Sequence, residues 1–328
     1  MKSIISLLPL AASVFAQQEA PAAQIPLQTA KPLTLESIPL LGYGTWNLKG
    51  DNISEAVSWA IQTGYKHIDC AAAYGNEDKV GRGIADGLLR TGLSREDIWV
   101  TSKLWNDHHG TNSVEAGIDT TLEKLGVGYL DLYHMHWPVA SGTFGNSIEY
   151  LDTWAAMTLL VQKGKARHIG VSNFDPEQLK DLLNHTSHPP SVHQMELHPY
   201  LQQTEWLEFH EKNGIHVTAY SPLAGTNPTY DNTDPTPLLN NSVVGKIAEK
   251  RGCTPAQVAL AWGMSRGTSV IPKSQHKERI TENFETLECV LKSKDIKTLD
   301  KLGKEAHRYN NPSKGWKVDL YKGLEDGN

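Results

Sequence analysis

The sequence predicts an α/β protein folded as a single (β/α)8 TIM barrel. Three observations lead to this prediction. Eight short apolar segments alternate with longer amphipathic ones, no shift in composition divides the chain, and reactive polar residues follow the apolar segments. A chain of 328 residues has room for two average domains or one barrel, and the unbroken alternation favours the barrel.

The eight apolar segments are the strand candidates, and each ends abruptly in polar or turn residues. They cover residues 39–46, 66–74, 97–105, 130–138, 166–174, 191–199, 216–223 and 268–274. In a barrel the carboxyl ends of all eight strands meet at one mouth, where the chemistry of such folds takes place. Functional residues are therefore expected directly after these segments.

Helical patterns separate the strand candidates. Residues 52–64 place their apolar side chains on one face, and two later helices begin with a capping residue and a proline, Asp175-Pro176 and Thr254-Pro255. A doubly wound sheet would also alternate strands and helices, but it would carry G-x-G-x-x-G after its first strand. The nearest match, residues 81–86, lies inside a helical pattern and ends in Asp86, which disfavours that alternative.

The first residues resemble a secretory signal peptide. In residues 1–16 a lysine precedes a run of 13 apolar or small residues, which is too short to span a bilayer as a helix. Residues 17–25 read as a linker, and residues 26–328 form the barrel domain. A secretory location is predicted, with a disordered extension on a cytoplasmic protein as the alternative. On the secretory route the sequons at Asn52, Asn184 and Asn240 could carry glycans.

Composition excludes several classes of partner and site. A net charge of −6 disfavours nucleic acid and anionic membranes, because both require a basic surface. The three cysteines, Cys70, Cys253 and Cys289, lie far apart in the sequence and lack metal-ligand spacing. Neither a disulfide framework nor a metal site is expected.

Four reactive side chains follow three successive strand candidates. Asp69 and Tyr74 follow the strand predicted in the second segment, and Lys103 and His136 lie at the ends of the strands predicted in the third and fourth segments. A carbonyl that accepts a hydride develops negative charge on its oxygen, which a proton donor must neutralise. Tyrosine has a pKa of about 10, and a neighbouring lysine, kept charged by a carboxylate, is expected to lower it. The fourth residue, the histidine, would orient the substrate oxygen.

These residues lie in motifs that resemble the aldo-keto reductase superfamily. The motifs are GYKHIDCAAAYGNE, TSKLW, LDLYHMHWP, GVSNF, HQMELHPYLQQ, AYSPL and IPKS…ERITENF, and the match runs from about residue 27 to about residue 310. The resemblance implies a TIM barrel with an N-terminal β-hairpin and an extra C-terminal helix or loop. It implies reduction of aldehydes and ketones with NADPH, or sometimes NADH, by a catalytic tetrad of Asp69, Tyr74, Lys103 and His136.

The resemblance also assigns the cofactor contacts. Ser172, Asn173 and Gln194 would bind the nicotinamide carboxamide, and Tyr220 would stack on the nicotinamide ring. Ser221 and Leu223 would lie along the pyrophosphate. The floor near the nicotinamide would be formed by Gly44, Thr45 and Trp46.

The IPKS…ERITENF segment is expected to bind the adenosine end of the cofactor. The resemblance places Lys273, Ser274 and Arg279 at the 2′-phosphate, which favours NADPH over NADH, and Glu282 and Asn283 at the adenine. Two departures from the family pattern occur. His276 replaces the Thr or Asn that relatives often carry beside the 2′-phosphate, and His193 replaces the Asn that usually precedes Gln194.

Substrate specificity is assigned to aromatic walls and three loops. Trp46, Trp105 and Trp137 are expected to wall an apolar pocket beside His136. The resemblance places the loops at 139–150, 224–238 and about 305–328. In the last loop Arg308 could pair with a substrate carboxylate, with a helix-end charge as the alternative.

The sequence therefore predicts an enzyme that reduces small carbonyl compounds such as aldoses, glyceraldehyde-like or aromatic aldehydes, as a monomer or weak dimer. Two alternatives remain: a cofactor-binding regulatory or redox-sensing subunit with little turnover, and a structural role. The complete tetrad favours the enzyme over both.

Overall fold

A computed structural model describes residues 38–140, 150–226, 236–304 and 306–324. The signal-like segment, the linker and the predicted N-terminal β-hairpin lie outside the described residues. So do most of the loops at 139–150 and 224–238.

Eight parallel strands curl into a barrel-like sheet. They are β1 (Tyr43–Gly44), β2 (His67–Asp69), β3 (Trp99–Leu104), β4 (Leu130–Met135), β5 (Ala166–Ser172), β6 (Val192–Glu196), β7 (His216–Tyr220) and β8 (Ser269–Val270). Each strand pairs in parallel with the next one along the chain. A parallel bridge between Leu41 and Val270 joins the two outer edges. Every strand lies inside its predicted segment, so the predicted strand order is confirmed.

Eleven helices accompany the strands in the described part of the chain. They are α1 (Ile53–Thr63), α2 (Glu77–Thr91), α3 (Val114–Leu125), α4 (Tyr150–Gln162), α5 (Pro176–His185), α6 (Thr204–Lys212), α7 (Ser242–Arg251), α8 (Pro255–Ser265), α9 (Lys277–Phe284), α10 (Ser293–Leu299) and α11 (Ser313–Trp316). Among these described helices, none combines the length and the apolar character that crossing a membrane would require. The two helices after α9 correspond to the predicted C-terminal addition.

The predicted helix starts are confirmed in detail. The Asp175 side chain accepts a hydrogen bond from the backbone amide of Gln178, and the Gln178 side-chain oxygen accepts one from the backbone amide of Asp175. Thr254 and Gln257 form the same reciprocal cap at the start of α8. Each cap satisfies two amides that would otherwise lack partners, because the first turn of a helix has no preceding carbonyls. Residues 81–86 lie within α2, which removes the doubly wound alternative.

The strand register brings the functional residues to one end of the barrel. Ser172 lies opposite Gln194 in the pairing of β5 with β6, and Glu196 lies opposite Tyr220 in the pairing of β6 with β7. Gly44 allows β1 to approach the strand beside it, because a Cβ there would lie 2.7 Å from the Ile271 carbonyl oxygen. A side chain at this position would therefore push the two backbones apart.

A disulfide corrects one expectation drawn from composition. Cys253 and Cys289 are bonded, although 36 positions separate them in the sequence. Cys253 lies between α7 and α8, and Cys289 follows the short 3-10 turn after α9, so folding brings them together. Sequence distance alone therefore gave the wrong answer for this pair. Cys70 remains a buried free thiol.

Buried histidines make the fold sensitive to acid. Burial lowers the pKa of His67, His109, His210 and His216 to about 4. An unfolded histidine takes up a proton near pH 6.5, so between about pH 6.5 and pH 4 the unfolded chain binds more protons than the folded one. Each of the four is therefore expected to lower the free energy of unfolding by up to about 1.4 kcal/mol per pH unit as the pH falls through this window.

Urea unfolding at pH 7, 6 and 5 measures this loss. His216→Gln provides a matched comparison, because glutamine can keep the 2.8 Å hydrogen bond to the Ser269 hydroxyl without binding a proton. The variant should lose less stability between pH 6 and pH 5 than the wild type. Equal stability of the wild type at all three pH values would contradict the prediction.

Candidate active site

A cleft of about 680 Å³ opens at the carboxyl ends of the strands. Most of the predicted site residues line it together. They are Gly44, Trp46, Asp69, Tyr74, Trp105, His136, Trp137, Ser172, Asn173, Gln194, Tyr220, Ser221, Leu223, Lys273, Ser274, Arg279, Glu282 and Asn283. Lys103 and Thr45 lie fully buried behind this lining, and Thr45 donates a hydrogen bond to the Asp69 carbonyl.

Lys103 connects the buried carboxylate to the tyrosine. Its ammonium donates to Asp69 Oδ2 at 2.7 Å, to the Cys70 carbonyl at 2.8 Å and to the Tyr74 hydroxyl oxygen at 3.1 Å. Asp69 Oδ1 accepts a further bond from Gln194 Nε2 at 2.7 Å. Because Lys103 donates to the Tyr74 oxygen, the phenolic hydrogen remains available for an acceptor in the cleft.

The pKa of Tyr74 is shifted in the direction opposite to the one expected from the sequence. Burial raises the pKa of its phenol well above the usual value, and Asp69 and Cys70 raise this pKa further. The net shift is therefore upward, opposite to the lowering expected from Lys103, because the effect of burial dominates. Tyr74 is fully protonated at neutral pH, which is the state that a proton donor requires.

His136 is a neutral ring beside the tyrosine. Burial and the charge of Lys103 hold its pKa well below the usual value. Its ring meets Tyr74 edge to face, with centroids 5.8 Å apart, and Trp105 at 5.2 Å. A neutral imidazole carries one donor and one acceptor nitrogen, so this ring can donate a hydrogen bond to an oxygen in the cleft without adding a charge.

Three residues that line the cleft adopt backbone conformations that are uncommon without glycine. The φ angle is 61° at Asn173, 47° at Ser221 and 60° at Ala224. Such conformations cost energy and persist where the surrounding contacts fix them, commonly at functional sites. Two hydrogen bonds of its side chain fix Asn173. Its Nδ2 donates to the His136 backbone carbonyl at 2.9 Å, and the Tyr220 hydroxyl donates to its Oδ1 at 2.8 Å.

A group of cations lies at the far end of the cleft. Burial, followed by the charges of Lys49 and Arg279, lowers the pKa of Lys273. Positive charges grouped around Lys273 in this way favour the binding of an anion among them. Lys49 was not identified from the sequence, because it follows β1 and reaches the others only in the folded chain.

The C-terminal segment covers the end of the cleft that contains Trp105 and Trp137. Asn310, Pro312 and Trp316 line it, and the Trp316 ring packs edge to face on Trp105 and on Trp137. The structure does not support the substrate contact suggested for Arg308. This side chain is buried outside the lining, with its guanidinium 3.9 Å from the centre of the Tyr321 ring.

Glu196 anchors this segment to the barrel. It is fully buried at the end of β6, and its two carboxylate oxygens accept the backbone amides of Tyr309 and Asn310, each at 2.8 Å. His198 contacts the same carboxylate at 3.0 Å. Sequence reasoning missed this role, because a glutamate at the end of a strand gives no sign that it binds backbone more than a hundred residues away.

Comparison with known proteins identifies the family. Residues 40–304 match the sequence profile described as the Aldo/keto reductase family. The chain belongs to the aldo/keto reductase family. An uncharacterised oxidoreductase of Schizosaccharomyces pombe is 43% identical over 305 residues, which are 88% of this chain and 92% of that protein. D/L-glyceraldehyde reductase of Hypocrea jecorina is 39% identical over 92% of this chain and 97% of its own length.

A solved structure agrees with this assignment. Aldose reductase from Schistosoma japonicum superposes with a TM-score of 0.79 at 33% identity, covering 88% of this chain and 96% of that one. This aldo/keto reductase is thus an oxidoreductase of the class that reduces aldehydes. In its described residues, no three His, Cys, Asp or Glu side chains are grouped as a metal site would require.

Proposed function

We propose that this aldo/keto reductase uses NADPH to reduce aldehydes and ketones to alcohols, with Tyr74 as the general acid. The observation that carries the proposal is the Lys103 ammonium, 3.1 Å from the Tyr74 hydroxyl oxygen and 2.7 Å from Asp69. Aldoses, glyceraldehyde-like aldehydes and aromatic aldehydes are the proposed substrates. The name of the Hypocrea jecorina relative and the tryptophan walls of the cleft support this class.

The side chains of the cleft suit a proton transfer to a carbonyl oxygen. NADPH, when bound, supplies the hydride. The oxygen that gains the electron pair becomes an alkoxide, which is a stronger base than a phenolate, so Tyr74 can give up its proton despite its raised pKa. Lys103 then faces the phenolate, and His136 donates a hydrogen bond that orients the substrate oxygen.

The chemistry of the donor set fits the proposed cofactor. Lys273, Arg279 and Ser274 provide charges and a hydroxyl for the 2′-phosphate, and the lowered pKa of Lys273 indicates a site that lacks compensating negative charge. Ser172, Asn173 and Gln194 present hydroxyl and amide groups for a carboxamide, and Tyr220 offers a flat ring for stacking. His276 also lines this end, which leaves NADH as a second cofactor.

Steady-state oxidation of NADPH with glyceraldehyde and with an aromatic aldehyde tests the reaction. Tyr74→Phe removes the donated proton and should lower kcat by about a hundredfold to ten-thousandfold, while NADPH still binds. If the wild type and the variant are equally inert and both bind NADPH, the protein is a cofactor-binding subunit with little turnover, and the reductase proposal fails.

Replacing Arg279 tests the choice of cofactor. Arg279→Ala should weaken NADPH binding by about tenfold to a hundredfold, because a charge-assisted bond to the 2′-phosphate is lost. NADH affinity should be unchanged, since NADH lacks that phosphate. Fluorescence titration with both cofactors measures this. Lys277→Ala is the matched control, because this lysine lies on the same helix but pairs with Glu55 at 2.7 Å. An equal loss for NADPH and NADH would contradict the prediction.

We infer that the protein passes through the secretory pathway and acts as a monomer or weak dimer. The Cys253–Cys289 disulfide supports the secretory route, because disulfides form and persist in oxidising compartments. The asparagines of the three sequons are exposed, as glycan acceptors must be. N-terminal sequencing of the native protein should show cleavage after the signal-like segment, and endoglycosidase should reduce its apparent mass. An intact Met1 and an unchanged mass would place the enzyme in the cytoplasm instead.

A further inference from the structure

Two buried histidines lie in contact behind the nicotinamide side of the cleft. His193 is on β6 and His210 is on α6, and their side chains are almost fully buried. The neighbour of His193 on the strand, Gln194, points the other way, towards Asp69.

The hydrogen-bond partners determine where the protons lie on both rings. His210 Nδ1 is 2.5 Å from the Trp206 carbonyl oxygen, which can only accept, so Nδ1 carries the hydrogen. When His210 is neutral, its Nε2 is therefore an acceptor, and this atom lies 2.7 Å from His193 Nδ1. His193 Nδ1 therefore donates to His210. The remaining nitrogen, His193 Nε2, accepts the backbone amide of Phe174 at 3.2 Å.

This chain of bonds ends on the turn at the end of β5. The turn consists of Ser172, which is the last residue of the strand, together with Asn173 and Phe174. The Gln194 carbonyl accepts the Asn173 amide at 3.1 Å and the Ser172 hydroxyl at 2.8 Å. The bond from Phe174 to His193 is a third link between the turn and β6, and it comes directly after the left-handed backbone of Asn173.

We propose that His193 and His210 are positioning residues that hold this turn against β6, so that Ser172 and Asn173 meet the nicotinamide half of the cofactor in the binding geometry. The proposal rests on the proposed cofactor contacts. His193 touches neither the cleft nor a reacting atom, and it acts through the Phe174 amide. His210 fixes the orientation and the tautomer of His193.

The arrangement works only with neutral rings. A proton on His193 Nε2 would face the Phe174 N–H, and a proton on His210 Nε2 would face the N–H of His193. Burial holds the pKa of His193 well below its usual value, and the titratable neighbours His210 on α6 and His134 on β4 lower it further. For His210 the pKa is lowered to about 4, because burial outweighs the Trp206 carbonyl. The bonds therefore persist at neutral pH.

Two ligands separate this role from a general effect on stability. NADPH contains the nicotinamide, whereas adenosine 2′,5′-bisphosphate carries only the adenosine end. In His193→Leu the Phe174 amide loses its acceptor, and NADPH affinity should fall about tenfold, because a buried donor is left unpaired. The affinity for adenosine 2′,5′-bisphosphate should stay within about twofold, as expected for a site that the turn does not touch.

The experiment is a titration of the wild type and of four variants, including His193→Leu, with both ligands. His193→Asn, which can offer a side-chain oxygen to the Phe174 amide, should restore part of the NADPH affinity, and His210→Leu should lower it less than His193→Leu. His216→Leu is the matched control for removing a histidine with a lowered pKa, because it lies at the opposite end of its strand.

The outcomes are distinct. Unchanged NADPH affinity in His193→Leu, an equal loss for both ligands, or the same loss in His216→Leu would overturn the positioning role. A wild-type protein that binds neither ligand would instead overturn the proposed cofactor. Failure of the proposed cofactor is thereby distinguished from failure of the positioning role.

Discussion

Lys103→Met is expected to lower kcat by about a thousandfold and to leave NADPH affinity within about threefold. Lys103 is the cation that touches the Tyr74 oxygen, at 3.1 Å, so it stabilises the phenolate that remains after proton transfer. Without this cation the Tyr74 phenolate would face the negative charge of Asp69 alone, and its formation would become still less favourable. Single-turnover kinetics with a saturating aldehyde measure the loss.

A second variant separates chemistry from folding. Lys103→Met alone leaves Asp69 buried without its ion-pair partner, which can destabilise a protein by about 3–5 kcal/mol. The double variant Asp69→Asn/Lys103→Met removes the buried charge, so it should recover stability in urea and remain inactive. Near-normal kcat in a folded Lys103→Met protein would refute the role of the lysine.

Removing the disulfide is expected to lower the free energy of unfolding by about 3–4 kcal/mol. The bond joins residues 36 positions apart, and a loop of this length restricts the unfolded chain substantially. It ties the turn between α7 and α8 to the segment that follows α9, the helix that carries Arg279. The double variant Cys253→Ser/Cys289→Ser, unfolded in urea beside the wild type, gives the difference.

Reductant provides the matched comparison for this prediction. Dithiothreitol should lower the stability of the wild type to that of the double serine variant, and it should leave that variant unchanged. Cys70 does not complicate the comparison, because it is a buried free thiol in both proteins. Equal stability of the oxidised wild type and the double serine variant would show that the disulfide hardly restricts the unfolded chain, which would contradict the prediction.

Local patterns predicted the framework of the fold. The eight strands appear as short apolar segments, and Asp175-Pro176 and Thr254-Pro255 specify helix starts through bonds within three residues. The tetrad was also predictable, because consecutive parallel strands place their carboxyl ends side by side. Each of these inferences needs only the neighbours along the chain or along the sheet.

Contacts between distant segments were not predictable in the same way. Arg308 looked like a free cation in a substrate loop, and the fold buries it against Tyr321. The direction of the Tyr74 pKa shift depends on how deeply the fold buries the phenol and on how close Asp69 lies to it. The Cys253–Cys289 bond depends on how the last helices pack. None of these distances is encoded in spacing or residue type.

The anchoring of the C-terminal segment by Glu196 does not depend on the side chains of the anchored residues. The groups that hold the segment are two backbone amides, and every residue except proline has one. Side chains farther along the segment can therefore change while its attachment to β6 persists. Under the proposed function, the wall of the cleft that this segment forms could change while the residues proposed for proton transfer stay the same.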